Sequence, residues 1–226
     1  TLLEELTEED PRRFQCWSLL GVARHNLGQY EPALAAFEEI LRRVDIPPAG
    51  ACYQASVAAE SIQRHQLAIR YARMATELSP ETPEFLLHLG SLLNGRHCYE
   101  EAEEILRRGI ELNEKNPHLL VALGESIRDQ GRVGESESYF QKALELAPKN
   151  PAIRANVSLT HEKLNQVDEA RKAAEKSLEI NPQEPSAHLA LAKCEFRQKE
   201  YEKAVNRLKP LLETVCPNSK AGILNE

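Results

Sequence analysis

The chain has 226 residues, 42% hydrophobic and 28% charged, with aromatics at only 5%, and alanine, leucine and glutamate are plentiful. That balance excludes an intrinsically disordered chain and favours helix over sheet. A net charge of −7 argues against a general nucleic-acid binder, and no apolar run nears membrane-spanning length, Leu119 to Leu123 being among the longest.

Charge is uneven: the acidic excess lies in the first two-thirds and residues 149–226 are slightly basic, with both signs interspersed. The five cysteines, Cys16, Cys52, Cys98, Cys194 and Cys216, are odd in number and form no C-x-x-C pair. Neither a disulfide framework nor a zinc site is expected, and a reducing, cytoplasmic compartment is. No signal peptide is visible from Thr1 onward.

In chain order, Thr1 to Leu6 reads as the end of a helix, followed by Pro11 and a linker through residue 13. A repeat then begins. Leu20-Gly21, Leu89-Gly90 and Leu123-Gly124 each follow a large apolar residue, Trp17, Leu86 and Leu120. The last two pairs are 34 residues apart, and the same step reaches Val157-Ser158 and Leu191-Ala192. Backwards it reaches Ala55-Ser56, with one residue inserted near Pro47 and Pro48. The units are 14–47, 49–82, 83–116, 117–150, 151–184 and 185–218, and 219–226 reads as the start of a seventh.

Within each 34-residue unit, positions 8 and 20 are small throughout: Gly21, Ser56, Gly90, Gly124, Ser158 and Ala192, then Ala33, Ala68, Ala102, Ser136, Ala170 and Ala204. Two helices cross closely only where side chains are short. Positions 7 and 24 supply apolar filling, for example Leu89 and Leu106, or Leu123 and Phe140. Pro80, Pro148 and Pro182 mark where second helices stop, and Pro117, Pro151 and Pro185 suit helix starts. Turn signals sit between the helices at Gly28-Gln29-Tyr30, Gly131-Arg132-Val133 and Asn165-Gln166-Val167.

This pattern resembles the tetratricopeptide repeat (TPR) family over about nine-tenths of the chain. Departures are Cys52, Arg154 and His188 at position 4, and Glu114 in place of a proline at position 32. The resemblance implies an all-α fold: a right-handed α-solenoid of six stacked antiparallel helix pairs, with partial helices at both ends. Both ends read as cut, so an excerpt from a longer array is expected. Polar residues at apolar positions, Arg154 with His188 and His161 with Glu195, are expected to pair between adjacent units.

No nucleotide loop, H-E-x-x-H, EF-hand or G-x-S-x-G signature is present, and the seven histidines form no metal-ligand pair. No catalytic residue, metal or cofactor is therefore assigned. Asn156-Val157-Ser158 fits a glycosylation acceptor but falls within a predicted helix, so a structural role is expected.

The resemblance places first helices along a concave groove. With positions 4, 7, 8 and 11 as the buried stripe, positions 2, 6, 9 and 13 point the other way and 5 and 12 edge them. The candidate peptide-binding residues are Tyr53 and Gln54 in the second unit, His88, Ser91 and Asn94 in the third, and Glu125, Arg128 and Asp129 in the fourth. The fifth adds Asn156 and Lys163, and the sixth Lys193 and Arg197. Joint replacement of Arg128, Asn156 and Lys193 is expected to weaken partner capture with helicity intact. Neither the carboxylate-gripping set of chaperone-binding family members nor the asparagine ladder of glycosyltransferase-linked arrays occurs here.

The leading expectation is a non-catalytic scaffold for a protein or peptide partner, without nucleic acid or membrane. The tail Ile223 to Glu226 looks like a repeat that precedes sulfotransferase domains in some bacterial proteins, which makes the repeat arm of a larger enzyme the alternative. Self-association into a homo-oligomer through terminal repeats is a third.

Overall fold

A computed structural model describes residues 14–215 of the chain. The expected helix end and linker before residue 14, and the expected seventh unit at 219–226, lie outside the described residues. Among the described residues there are twelve helices and no strand. First helices are α1 (Phe14–Asn26), α3 (Ala49–Ser61), α5 (Pro83–Asn94), α7 (Pro117–Asp129), α9 (Pro151–Lys163) and α11 (Pro185–Arg197). Second helices are α2 (Tyr30–Arg43), α4 (His65–Leu78), α6 (Tyr99–Leu112), α8 (Val133–Leu146), α10 (Val167–Ile180) and α12 (Tyr201–Val215).

The chain divides into two compact units, Thr1–Glu114 with α1 to α6 and Lys115–Glu226 with α7 to α12. In each unit a first helix packs on its second helix, and each pair packs on the next. Short connections make the pairs antiparallel, and their repetition makes an all-α solenoid.

One backbone device closes every pair. Position 15 has positive φ in all six: Gly28, Gln63, His97, Gly131, Asn165 and Lys199, with φ between 59° and 88°. That left-handed step lets the next N–H reach back five residues, as in Arg64 N to Ala59 O at 2.9 Å and Glu200 N to Glu195 O at 2.9 Å. Glycine carries this conformation without strain, whereas Gln63, His97 and Lys199 adopt it at a cost. At helix starts, Pro83, Pro117, Pro151 and Pro185 occupy the first turn, where a missing N–H loses nothing. Asn116 and Asn150 cap their helices by accepting from the N–H groups of His118 and Ala152 at 2.9 and 3.0 Å.

The small positions make the helix contact. A Cβ on Gly90 would lie 2.5 Å from Leu106 Cγ, and one on Gly124 would lie 2.9 Å from Phe140 Cζ. Position 24 thus fills the space that position 8 leaves. Where position 8 is serine, position 24 shrinks to Ala72 or Ala174, and the hydroxyl donates to the position-20 carbonyl: Ser56 Oγ to Ala68 O at 2.7 Å, Ser158 Oγ to Ala170 O at 2.6 Å.

The expected pairing of polar residues between adjacent units is corrected. Arg154 Nη2 donates to Pro148 O at 2.7 Å and His188 Nε2 to Pro182 O at 2.9 Å. Each reaches back six residues to the proline that ends the preceding helix. Glu195 takes a two-pronged bond from Arg207, at 3.0 and 2.6 Å, and His161 meets Gln166 at 2.7 Å. Carbonyls at the end of the preceding helix for Arg154 and His188, and side chains of the same hairpin for Glu195 and His161, take the bonds expected from the equivalent side chain one repeat away.

Candidate functional site

First helices bury more than one stripe. Each packs on its second helix and also on a neighbouring first helix, so position 6 is buried at Ala122, Asn156 and Ala190 and position 10 at Ser126, Thr160 and Cys194. This second stripe was not in the sequence reading, and it divides the candidate residues into two groups.

In the first unit, α3 and α5 carry Tyr53, Gln54, His88, Ser91 and Asn94. Ser91 is exposed, and Tyr53, Gln54, His88 and Asn94 are part-buried. The Tyr53 ring stacks on Phe85 with centroids 5.1 Å apart and meets the edge of His88 at 5.1 Å. Ser56 gives its hydroxyl hydrogen to Ala68 O, so its oxygen accepts from His88 Nε2 at 2.8 Å. That bond assigns the proton to Nε2 and leaves Nδ1 as an acceptor. Burial lowers the His88 pKa to about 4, so the ring is neutral near pH 7. Neither α3 nor α5 contains a lysine or arginine; their charged residues are Glu60 and Glu84, both exposed. Among the described residues, neither the Tyr53 hydroxyl nor the Glu60 carboxylate makes a hydrogen bond.

In the second unit the candidate residues hold one another. Arg128 and Asn156 are each 7% exposed. Asn156 accepts from Arg128 Nη1 at 2.8 Å and donates to Glu125 Oε1 at 3.0 Å, tying α9 to α7. Lys163 Nζ reaches Asp129 Oδ1 at 2.8 Å, and Arg197 Nε reaches Glu162 Oε1 at 2.5 Å, tying α11 to α9. Burial raises the Glu125 pKa against the opposing Arg128 charge and Asn156 hydrogen bond. Burial also acts on Asp129, but the Lys163 hydrogen bond and the Arg128 charge outweigh it and hold that carboxyl below its usual range. Lys193 is part-buried on α11, beside an open cleft lined by Leu189, Phe196 and Leu208.

The joint replacement of Arg128, Asn156 and Lys193 is therefore no clean test of a groove, because two of the three hold first helices together. Asn156 is also buried with its amide engaged, in keeping with a structural role. The sequence reading missed Phe85, and took Ser56 only as a small packing position. Its available signal was spacing: Ser56 and His88, Tyr53 and Phe85, and Asp129 and Lys163 are each separated by about one repeat. Among the described residues no cluster of three or more metal-ligating side chains occurs, and no helix is long and apolar enough to cross a membrane.

The helix pairs and their small crossing positions define a helical-repeat protein. Two family models described as tetratricopeptide repeat match the chain, one at residues 128–183 and 163–215 and the other at 1–51 and 91–151. The chain belongs to the tetratricopeptide repeat family. No curated protein sequence matches it. Among solved structures, a tetratricopeptide repeat protein from Parabacteroides merdae is similar at TM-score 0.81 and 17% identity, over 97% of this chain and 86% of that one. A chain of the APC/C hetero-tetramer Cut9-Hcn1 is similar at TM-score 0.77 and 22% identity, over 96% of this chain and 43% of that one. YrrB, described as a TPR protein with an unusual peptide-binding site, is similar at TM-score 0.67 and 20% identity, over 84% of this chain and 97% of that one. These likenesses establish the fold.

Proposed function

We propose that the chain is a non-catalytic scaffold that holds a peptide or protein segment along its first helices, with the principal contact on α3 and α5. The observation that carries this is the contrast between the two units. In the second, Arg128, Lys163 and Arg197 are bound to carboxylates of the same chain. In the first, the Tyr53 hydroxyl and the Glu60 carboxylate make no hydrogen bond among the described residues, and Tyr53 sits in an aromatic cluster. A groove contributes affinity where partner groups replace water, not where they must displace existing ion pairs. The family membership and the peptide-binding site named for YrrB support the same reading. The free thiols of Cys16, Cys52, Cys98 and Cys194 support a reducing, cytoplasmic setting.

The test is amide chemical-shift mapping of the isotope-labelled chain against a mixture of random dodecamer peptides. Perturbations centred on residues 53–61 and 84–94 are expected. Perturbations confined to second helices, or to α7, α9 and α11, would overturn the assignment.

A further inference from the structure

Building on that reading, we infer that the α3–α5 face selects a cationic segment, with an arginine or lysine side chain seated against the Tyr53–Phe85–His88 cluster and neutralised by Glu60.

Four observations carry the inference. First, the aromatic rings of Tyr53 and Phe85 are stacked and His88 closes one side edge-on, which offers π-surface to a flat guanidinium or an ammonium. Second, the unused hydrogen-bonding capacity of the cluster includes two acceptors. The Ser56 bond takes the His88 Nε2 proton and leaves Nδ1 as a lone pair, and the Tyr53 oxygen has no partner among the described residues. A cationic side chain has donors and no acceptor, so it satisfies both. Third, the only charged residues on the two helices are Glu60 and Glu84. Glu60 lies seven residues after Tyr53, on the same helix face and about 10 Å further along. Fourth, no cation of α3 or α5 competes for the site, because neither helix has one.

An acidic partner would meet the Glu60 and Glu84 carboxylates and the His88 Nδ1 lone pair, all repulsive, with only the Tyr53 hydroxyl able to donate to it. A purely apolar partner would leave the Tyr53 oxygen and His88 Nδ1 without donors. The acidic balance of the chain, net −7, steers in the same direction at long range.

The experiment uses the full chain and a fluorescein-labelled (Gly-Arg)5 peptide, with (Gly-Glu)5 as control, read by anisotropy at about 0.1 M salt. (Gly-Arg)5 is expected to bind at least tenfold tighter than (Gly-Glu)5. Tyr53→Leu should weaken it about fivefold. Glu60→Gln, at an exposed position that leaves the fold untouched, should weaken it about twofold to fivefold, and Glu175→Gln, exposed on the second helix α10, should leave it unchanged. Equal binding of the two peptides, or binding indifferent to both Tyr53→Leu and Glu60→Gln, overturns the inference. A dodecamer display selection on the same chain separates this failure from that of the broader reading. Enriched peptides that are acidic or uncharged yet lost with Tyr53→Leu would retain the α3–α5 contact and refute its cationic preference. Enriched peptides insensitive to both variants would refute both.

Discussion

Asn156→Ala should destabilise the second unit well beyond what a surface polar residue costs. Asn156 accepts from Arg128 Nη1 at 2.8 Å and donates to Glu125 Oε1 at 3.0 Å, so one short side chain satisfies a cation and a carboxylate on the neighbouring helix. Hydrogen bonds to charged groups contribute about 1.5–3 kcal/mol each. Truncation removes two, and direct approach of Arg128 to Glu125 recovers part, which leaves a net loss of about 2–3 kcal/mol. Lys163→Ala provides the scale: its bond to Asp129 is a 2.8 Å ion pair between side chains 36% and 32% exposed, worth about 0–1 kcal/mol. The assay is native-state hydrogen exchange of α7 and α9 amides, which reports local opening in a repeat protein where a global transition need not be two-state. Protection in α9 should fall about thirtyfold or more for Asn156→Ala and less than about fivefold for Lys163→Ala. Equal losses would refute the reasoning, since the cross-link would then be no stronger than an exposed pair.

Other outcomes follow from the same geometry. Glu125→Gln should stabilise the second unit at pH 7: burial raises the carboxyl pKa, so ionised Glu125 opposes folding, and the gain should vanish as pH falls below the ordinary carboxylate range. Urea midpoints across pH measure it. His88 behaves oppositely, with a folded pKa of about 4 below the usual histidine value, so stability present above about pH 6.5 is lost as pH falls towards 4. His88→Asn should flatten that slope in unfolding curves of the first unit. Gly90→Ala should cost about 1–3 kcal/mol, because the new Cβ meets Leu106 at 2.5 Å, and Gly90→Ala with Leu106→Ala should cost less than the sum of the two. Gln63→Gly should stabilise by up to about 1 kcal/mol, since Gln63 holds at φ 59° the left-handed step that Gly28 and Gly131 take without strain, and thermal melts check it.

The repeat was legible in the sequence because its physics is local and periodic. Gly21, Gly90 and Gly124 must be small wherever Phe37, Leu106 and Phe140 press on them, and a fixed contact repeated every 34 residues leaves a fixed spacing. Prolines at helix starts were legible for the same reason: the rule concerns one residue and its own backbone. The left-handed turn was half legible, at Gly28, Gly131 and Asn165 but not at Gln63, His97 or Lys199, where the next N–H reaching back to a carbonyl of the preceding helix, and not the residue type, marks the conformation. Only the tertiary structure decided which polar residues are occupied. Asn156 sits at a helix position that points away from its own hairpin and Arg128 at its edge, with the guanidinium over the Phe140 ring, yet the two meet across neighbouring first helices and pair their hydrogen bonds. Arg154 and His188 do not bond each other because nearer carbonyls, at Pro148 and Pro182, already accept from them. Helical periodicity gives a side chain's direction on its own helix, and only the packed neighbour determines whether that direction leads to solvent or to a partner.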